Sequence, residues 1–145
     1  MSGYFEIGIY YPKTVENVGT LWRSAFQLGA AGIFTIGHRY QRQASDTLKT
    51  ACNIPLRMYK TWEEFLECRP HGSQLVGIEI GGKALSTFSH PALAVYLLGS
   101  EDNGLPPFVA EQCQHIVSIE SIRTASYNVA VAGSLVMYHR FVSRS

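Results

Sequence analysis

The chain predicts an α/β domain: a mostly parallel sheet of six strands with helices on both faces. Six short apolar runs alternate with segments of helical spacing, and the central runs lack the in-out polar alternation of a half-exposed sheet. A length of 145 residues without internal repeat, low-complexity tract or linker reads as one domain spanning 1–145.

Tyr4 to Tyr10 is β-branched and aromatic, ends at Tyr11-Pro12, and predicts the first strand. Asn17 is expected to cap a helix whose apolar positions Val18, Leu21, Trp22, Ala25 and Leu28 recur at helical spacing, with Gly29 as its stop. Gly32 to Gly37 is a short buried strand. Ser45 to Cys52 predicts a helix and Pro55 to Tyr59 a strand. Thr61-Trp62-Glu63-Glu64 fits the T-x-x-E capping box and opens a helix to about Cys68. Gln74 to Ile80 and Ala92 to Leu98 are apolar strands. Pro106 or Pro107 suits the first turn of a helix reaching Gln112. His115 to Ile119 is the last strand, and Asn128 to Phe141 the closing helix.

Composition is 46% hydrophobic and 16% charged, and no run approaches the roughly 18 apolar residues of a membrane span. No basic segment followed by an apolar core opens the chain, so no secretion signal and a cytoplasmic location are expected. Cys52, Cys68 and Cys113 are odd in number without CxxC spacing, which predicts reduced thiols and no zinc site. Nor do the five histidines show ligand spacing, so no metal is expected. The net charge of +1 hides an asymmetry: residues 1–60 carry +4 and residues 61–145 carry −3. Such a division is compatible with a polyanion docking on one side, and equally with unevenly solvated charge.

Three segments carry the chemistry. In Asn17-Val18-Gly19-Thr20-Leu21-Trp22-Arg23, Gly19 and Arg23 share a helical face, leaving open surface beside a guanidinium. Leu98-Gly99-Ser100-Glu101-Asp102-Asn103-Gly104-Leu105-Pro106 follows a strand directly; such a tight loop can grip a small ligand through main-chain groups. Ser126-Tyr127-Asn128-Val129-Ala130-Val131-Ala132 opens the last helix, which either Ser126 or Asn128 could cap.

In order and separation, these segments resemble the three motifs of the SPOUT-class RNA ribose 2′-O-methyltransferases of the TrmH (SpoU) family: N-x-G-x-x-x-R, hydrophobic-G-x-E-x-x-G-L-P and S-L-N-V-x-x-A. Two departures stand out. Tyr127 replaces the usual Leu, and Glu120 follows Ile119 where Ile-Pro is common, which predicts a looser 120–125 loop. The resemblance implies a C-terminal trefoil knot holding S-adenosylmethionine between three loops. Ile78 and Glu79 would contribute from the first, Leu98, Gly99, Ser100 and Gly104 from the second, and Ile119, Ser126 and Asn128 from the third. It also implies catalytic roles for Arg23, Asn17, Glu101, Ser126 and Asn128. A guanidinium hardly ever loses its proton, so Arg23 is expected to stabilise developing negative charge or fix a phosphate. Glu101 is a candidate proton acceptor.

Arg39, Tyr40, Arg42 and Lys49 interleave aromatic with basic, as RNA backbone contact and base stacking require, or form a solvated loop. The expected substrate is structured RNA, tRNA before rRNA. An inactive RNA-binding module of the same fold is the alternative. A homodimer is also expected, its closing helix packing through the small residues Ala130, Ala132, Gly133 and Ser134. A competing pattern, Gly77-x-x-x-x-Gly82-Lys83-Ala84, nearly fits a phosphate-binding P-loop but lacks the magnesium-ligating hydroxyl.

Overall fold

The computed structural model describes residues 3–37 and 54–143. In chain order they form β1 (Tyr4–Tyr10), α1 (Val15–Gln27), β2 (Gly32–Ile36), β3 (Leu56–Tyr59), α2 (Trp62–Cys68), β4 (Gln74–Ala84), a 3-10 turn (Leu85–Thr87), β5 (Leu93–Leu98), α3 (Pro107–Ala110), β6 (His115–Ser118) and α4 (Val129–Ser143). The expected helix Ser45–Cys52 lies outside the described residues. All six strands run parallel in the order β3-β2-β1-β5-β4-β6. Strand order reverses between β1 and β5, and in open α/β sheets a ligand crevice opens beyond the carboxyl ends at such a reversal.

Two apolar layers hold the sheet. On one face, α1 and α4 pack Val18, Leu21, Ala25, Val136 and Met137 against Ile7, Ile9, Tyr96 and Leu98. On the other, α2 and α3 bring Trp62, Phe65 and Val109 onto Phe34, Ile36, Val95 and Leu97. Both faces of the central strands are therefore buried, which explains their unbroken apolar sequence.

Several elements differ from the sequence expectation for identifiable reasons. Thr14, not Asn17, caps α1: its backbone is extended and its hydroxyl accepts the Asn17 amide at 3.3 Å. Asn17 thus falls within the first turn, its side chain free to reach elsewhere. The capping box at α2 forms with a one-residue shift, as Thr61 accepts the Glu64 amide (3.1 Å) while Glu64 accepts from Lys60 N (2.6 Å). Helix α3 is a single turn ending at Ala110 rather than Gln112.

Strand β4 overruns its expected end at Ile80. It pairs with β6 as far as Ile78, leaves the ladder, and rejoins where Lys83 pairs with Val117. The P-loop reading fails here. Gly82-Lys83-Ala84 is strand followed by a 3-10 turn, with no helix N-terminus to hold a phosphate.

The small residues of α4 also turn out differently. Ala130, Ala132 and Gly133 face inward, and a Cβ added at Gly133 would sit 2.5 Å from Leu21 Cδ1 and 3.0 Å from Leu98 Cδ1. Ser134 bonds Ser24 of α1 at 3.0 Å. This stripe brings α4 close to its own α1 and β5 and is not available to a second chain.

Candidate active site

The excursion of β4 beginning at Ile78 and the loops that follow β5 and β6 converge above the first turn of α4. Between them lies a cavity of about 330 Å³. Of the residues expected around a cofactor, Ile78, Glu79, Leu98, Gly99, Ser100, Gly104, Ile119 and Ser126 line it; Asn128 does not. Of those expected to act in catalysis, Glu101 and Ser126 line it. The sequence reading missed Ile80, Asp102, Asn103, Ser118, Ala125, Tyr127, Val129 and Ala132. Most are immediate neighbours of residues it named. Val129 and Ala132 carried a signal of their own: they occupy the inward face of the first turn of the last helix.

Each wall is fixed by the sequence that builds it. The departure of β4 from its ladder turns Glu79 toward the β5 loop, where its carboxylate accepts Leu105 N at 2.7 Å and its neighbour Ile80 N at 3.1 Å. The β5 loop closes on itself through Gly104 N to Ser100 O (3.0 Å) and Asn103 N to Ser100 Oγ (3.3 Å). Gly99 has to be glycine, because a Cβ there would run into the Gly104 backbone.

A directed hydrogen-bond chain joins the three sequence segments. Asn128 Oδ1 accepts the Ala130 and Val131 amides (2.9 and 3.1 Å), so Asn128 is the cap of α4. Its oxygen being thus assigned, its Nδ2 donates to Asn17 Oδ1 at 3.1 Å. Asn17 Nδ2 must then donate to Glu101, at 2.7 Å. The other Glu101 oxygen accepts Lys13 N (3.2 Å), and the Lys13 ammonium pairs with Asp102 (3.3 Å). Both Glu101 oxygens therefore hold N–H donors, an arrangement that ties the loop after β5 to the start of α1.

Arg23 stands apart. It is exposed, makes no hydrogen bond or ion pair among the described residues, and does not line the cavity. Six residues along a helix place it about 9 Å up the axis from Asn17 and turned by about 120°. The structure thus gathers Asn17, Glu101 and Asn128, sets Ser126 on the cavity wall, and leaves Arg23 outside this chain's own cavity. Arg39, Tyr40, Arg42 and Lys49 lie outside the described residues.

Glu79, Glu101 and Asp102 reach the cavity wall, which among the described residues includes no lysine, arginine or histidine. Its floor is apolar, formed by Leu98, Ile119, Val129 and Ala132. Such a lining repels phosphate and suits a ligand with an apolar or aromatic body and a positive charge.

A parallel sheet with a ligand-sized cavity over its carboxyl ends defines an α/β protein that binds a small molecule there. The particular family follows from comparison: residues 5–138 match the SpoU rRNA Methylase family, and the chain belongs to it. Among curated relatives, an uncharacterised tRNA/rRNA methyltransferase of Mycobacterium bovis is 27% identical over 135 residues, covering 84% of this chain and 40% of the relative. A namesake from Archaeoglobus fulgidus is 24% identical, covering 85% of this chain and 58% of its own. The chain thus spans between two-fifths and three-fifths of these relatives' length. Among solved structures, the AdoMet-bound rRNA methyltransferase of Sinorhizobium meliloti superposes with a TM-score of 0.82 at 25% identity, covering 97% of this chain and 56% of that one. Another, concerned with the 2-OH methylation of C/U34 on tRNA, has a TM-score of 0.84 at 24% identity and covers 98% and 99% of the two chains.

Proposed function

We propose that the protein transfers a methyl group from S-adenosylmethionine to a ribose 2′-oxygen of structured RNA, with tRNA favoured. The observation that carries this reading is the charge of the cavity: Glu79 and Glu101 on its wall accept from neutral donors, Asp102 is paired with Lys13, and no cation stands among its described lining residues. The donor is itself a cation with an aromatic base, and bound there it supplies an electrophilic methyl group for direct displacement. The protein's own residues supply the rest. The apolar floor receives the body of the donor, main-chain groups of the β5 loop fix its orientation, and the Asn128–Asn17–Glu101 chain holds two walls at constant separation. Support for tRNA comes from the neighbour on C/U34 methylation, which matches this chain over nearly the full length of both.

Arg23 then acts where charge develops on the substrate oxygen, or on an adjacent phosphate. Since it lies outside its own cavity, it serves the site of a second copy. A stripe of exposed apolar side chains on α4 (Val131, Leu135, Tyr138 and Val142, at helical spacing) offers the dimer face in place of the buried small residues. Helix α1 lies against α4 through the Ser24–Ser134 bond, which puts Arg23 beside that face.

Calorimetric titration with S-adenosylmethionine, followed by mass spectrometry of ribose methylation in tRNA and rRNA treated with the protein, tests the reaction. Arg23→Ala is expected to lower turnover by ~10²–10³ while cofactor affinity stays within a few-fold. Full activity of that variant, or a monomer by sedimentation at micromolar concentration, would overturn the role assigned to Arg23.

A further inference from the structure

Residues 121–128 are all exposed; Ile122, the larger of the two aliphatics among them, is 96% exposed. Apart from Tyr127, which is 36% exposed, no apolar burial orders this segment, yet Ala125, Ser126 and Tyr127 form part of the cavity wall. Ordering each residue of such a loop costs about 1–2 kcal/mol of backbone entropy, so something else must hold it.

Hydrogen bonds do. Tyr127 lines the cavity, and its hydroxyl donates to the Glu120 carbonyl at 2.6 Å, closing a ring of chain seven residues apart. Within that ring, Ser121 donates to Thr124 O, and Thr124 Oγ1 accepts Ser126 N at 3.1 Å. The Glu120 carboxylate accepts from the Ser86 hydroxyl and, at 3.4 Å, the Ser86 amide, mooring the ring to the 3-10 turn after β4. The two positions at which the third motif departs from the family pattern therefore meet, through the Tyr127 hydroxyl and the main-chain carbonyl of residue 120, while the Glu120 side chain reaches Ser86. Leucine at 127 would fill the same wall without a hydroxyl, and proline at 120 would stiffen the chain without a carboxylate.

We propose that Tyr127, Glu120 and Ser86 are positioning residues that hold the 119–128 loop in its ligand-binding shape, replacing by side-chain hydrogen bonds the rigidity a proline would give. This rests on reading the cavity as the S-adenosylmethionine site. The Ser86 hydroxyl also holds the Glu120 carboxyl below its usual range, so the carboxylate is the accepting form at neutral pH.

The test compares cofactor affinity with loop order in the full chain. Tyr127→Phe keeps the ring and removes only the hydroxyl. It is expected to weaken S-adenosylmethionine binding about five-fold by calorimetry, as does Ser86→Ala, and to leave the thermal midpoint of the unliganded protein unchanged. Trypsin should cut after the exposed Arg123 faster in Tyr127→Phe than in the wild type. The double variant Tyr127→Leu with Glu120→Pro is expected to recover wild-type affinity within two-fold, a rescue that mere loss of packing would not give. Wild-type affinity and cleavage rate in Tyr127→Phe would overturn the proposal and leave the functional reading intact. A wild-type protein that does not bind S-adenosylmethionine would overturn both.

Discussion

Polar side chains concentrate at both ends of the sheet, and the two groups differ in how completely they satisfy one another. At the amino end, Arg140 is only 6% exposed and every described contact is used. Its guanidinium donates to Pro91 O (2.7 Å), Ala92 O (3.1 Å) and Tyr96 Oη (3.0 Å), and it lies over the Phe5 ring. Because Tyr96 Oη accepts from Arg140, its own hydrogen turns to His90 Nδ1 at 2.7 Å. His90 Nε2–H is then left to donate to His139 Nδ1 at 2.8 Å. The network is closed, and it locks the C-terminal part of α4 onto the start of β5. At the carboxyl end, by contrast, Glu79 and Glu101 accept only from neutral main-chain and amide groups in the contacts described, so their charges stay uncompensated beside an open cavity, while Asp102 is paired with Lys13. Polar groups that saturate each other hold a fold together; those that are fixed in place and left facing a void have something to bind.

The sharpest way to break this distinction is to cut each network and read both stability and binding. Arg140→Met keeps the stem of the side chain but leaves the Pro91 carbonyl and the Tyr96 hydroxyl without this donor, while the exposed Ala92 carbonyl keeps the Tyr4 amide (2.9 Å). At about 1–3 kcal/mol for each group left unpaired, partly relieved by solvent at Pro91, a loss of about 2–3 kcal/mol is expected from urea denaturation. Cofactor affinity of the folded variant should stay within two-fold of wild type. A loss below about 1 kcal/mol would show that the network is not the lock described.

Gly133 tests the surface joining the two ends. Gly133→Ala puts a methyl group 2.5 Å from Leu21 Cδ1, and the flexible ends of Leu21 and Leu98 must move. Overpacking of this kind costs about 2–3 kcal/mol, of which the helix propensity gained on replacing glycine returns about 1 kcal/mol, so a net loss of about 1–2 kcal/mol is expected as a lowered denaturation midpoint. An unchanged midpoint would mean that α4 does not need its close approach to α1.

What the sequence made legible follows the same division between local and distant. Strand and helix alternation was readable because burial on both faces leaves unbroken apolar runs, and three loops were readable from Gly, Pro and Asn at their ends. The residues named from Ile78 to Ser126 accordingly come together around one cavity. Features that depend on a partner far along the chain were not readable. His90 and His139 are 49 residues apart, Ser86 and Glu120 are 34 apart, and neither spacing signals a contact. Small residues on α4 fitted a dimer seam as well as an intramolecular one, since periodicity marks a face but not its neighbour. The excursion of β4 after Ile78 was hidden because its residues continue a plausible strand composition.

Asn128 belongs to the carboxyl end but performs one task of each kind, so its two functions can be separated. Asn128→Ala removes the cap of α4 and should cost about 1 kcal/mol. Asn128→Asp keeps an accepting oxygen for the Ala130 and Val131 amides and is expected to restore that stability. It cannot donate to Asn17, so the link to Glu101 stays broken and methyl transfer stays impaired in a kinetic assay. Recovery of both properties in Asn128→Asp would show that the link to Asn17 is incidental.

The smallest expected effect is the pH response of the amino-end network. Burial, with lesser contributions from the charges of His139 and Arg140, lowers the pKa of His90 from 6.5 to about 4. In the unfolded chain the imidazole takes up a proton as pH falls through about 6.5, while the folded protein holds it neutral until about pH 4. Stability from this group is thus complete above about pH 6.5 and is lost progressively from there down to about pH 4. The ring is only partly buried, and solvent screening limits the effect to roughly 1 kcal/mol. Carboxylates and other histidines titrate nearby, so the informative quantity is a difference. Urea denaturation of wild type and His90→Gln at pH 7 and pH 5 should show a smaller loss on acidification in the variant. Equal losses in the two proteins would mean that His90 takes up its proton in the folded chain as readily as in the unfolded one, and the network would not hold the ring neutral.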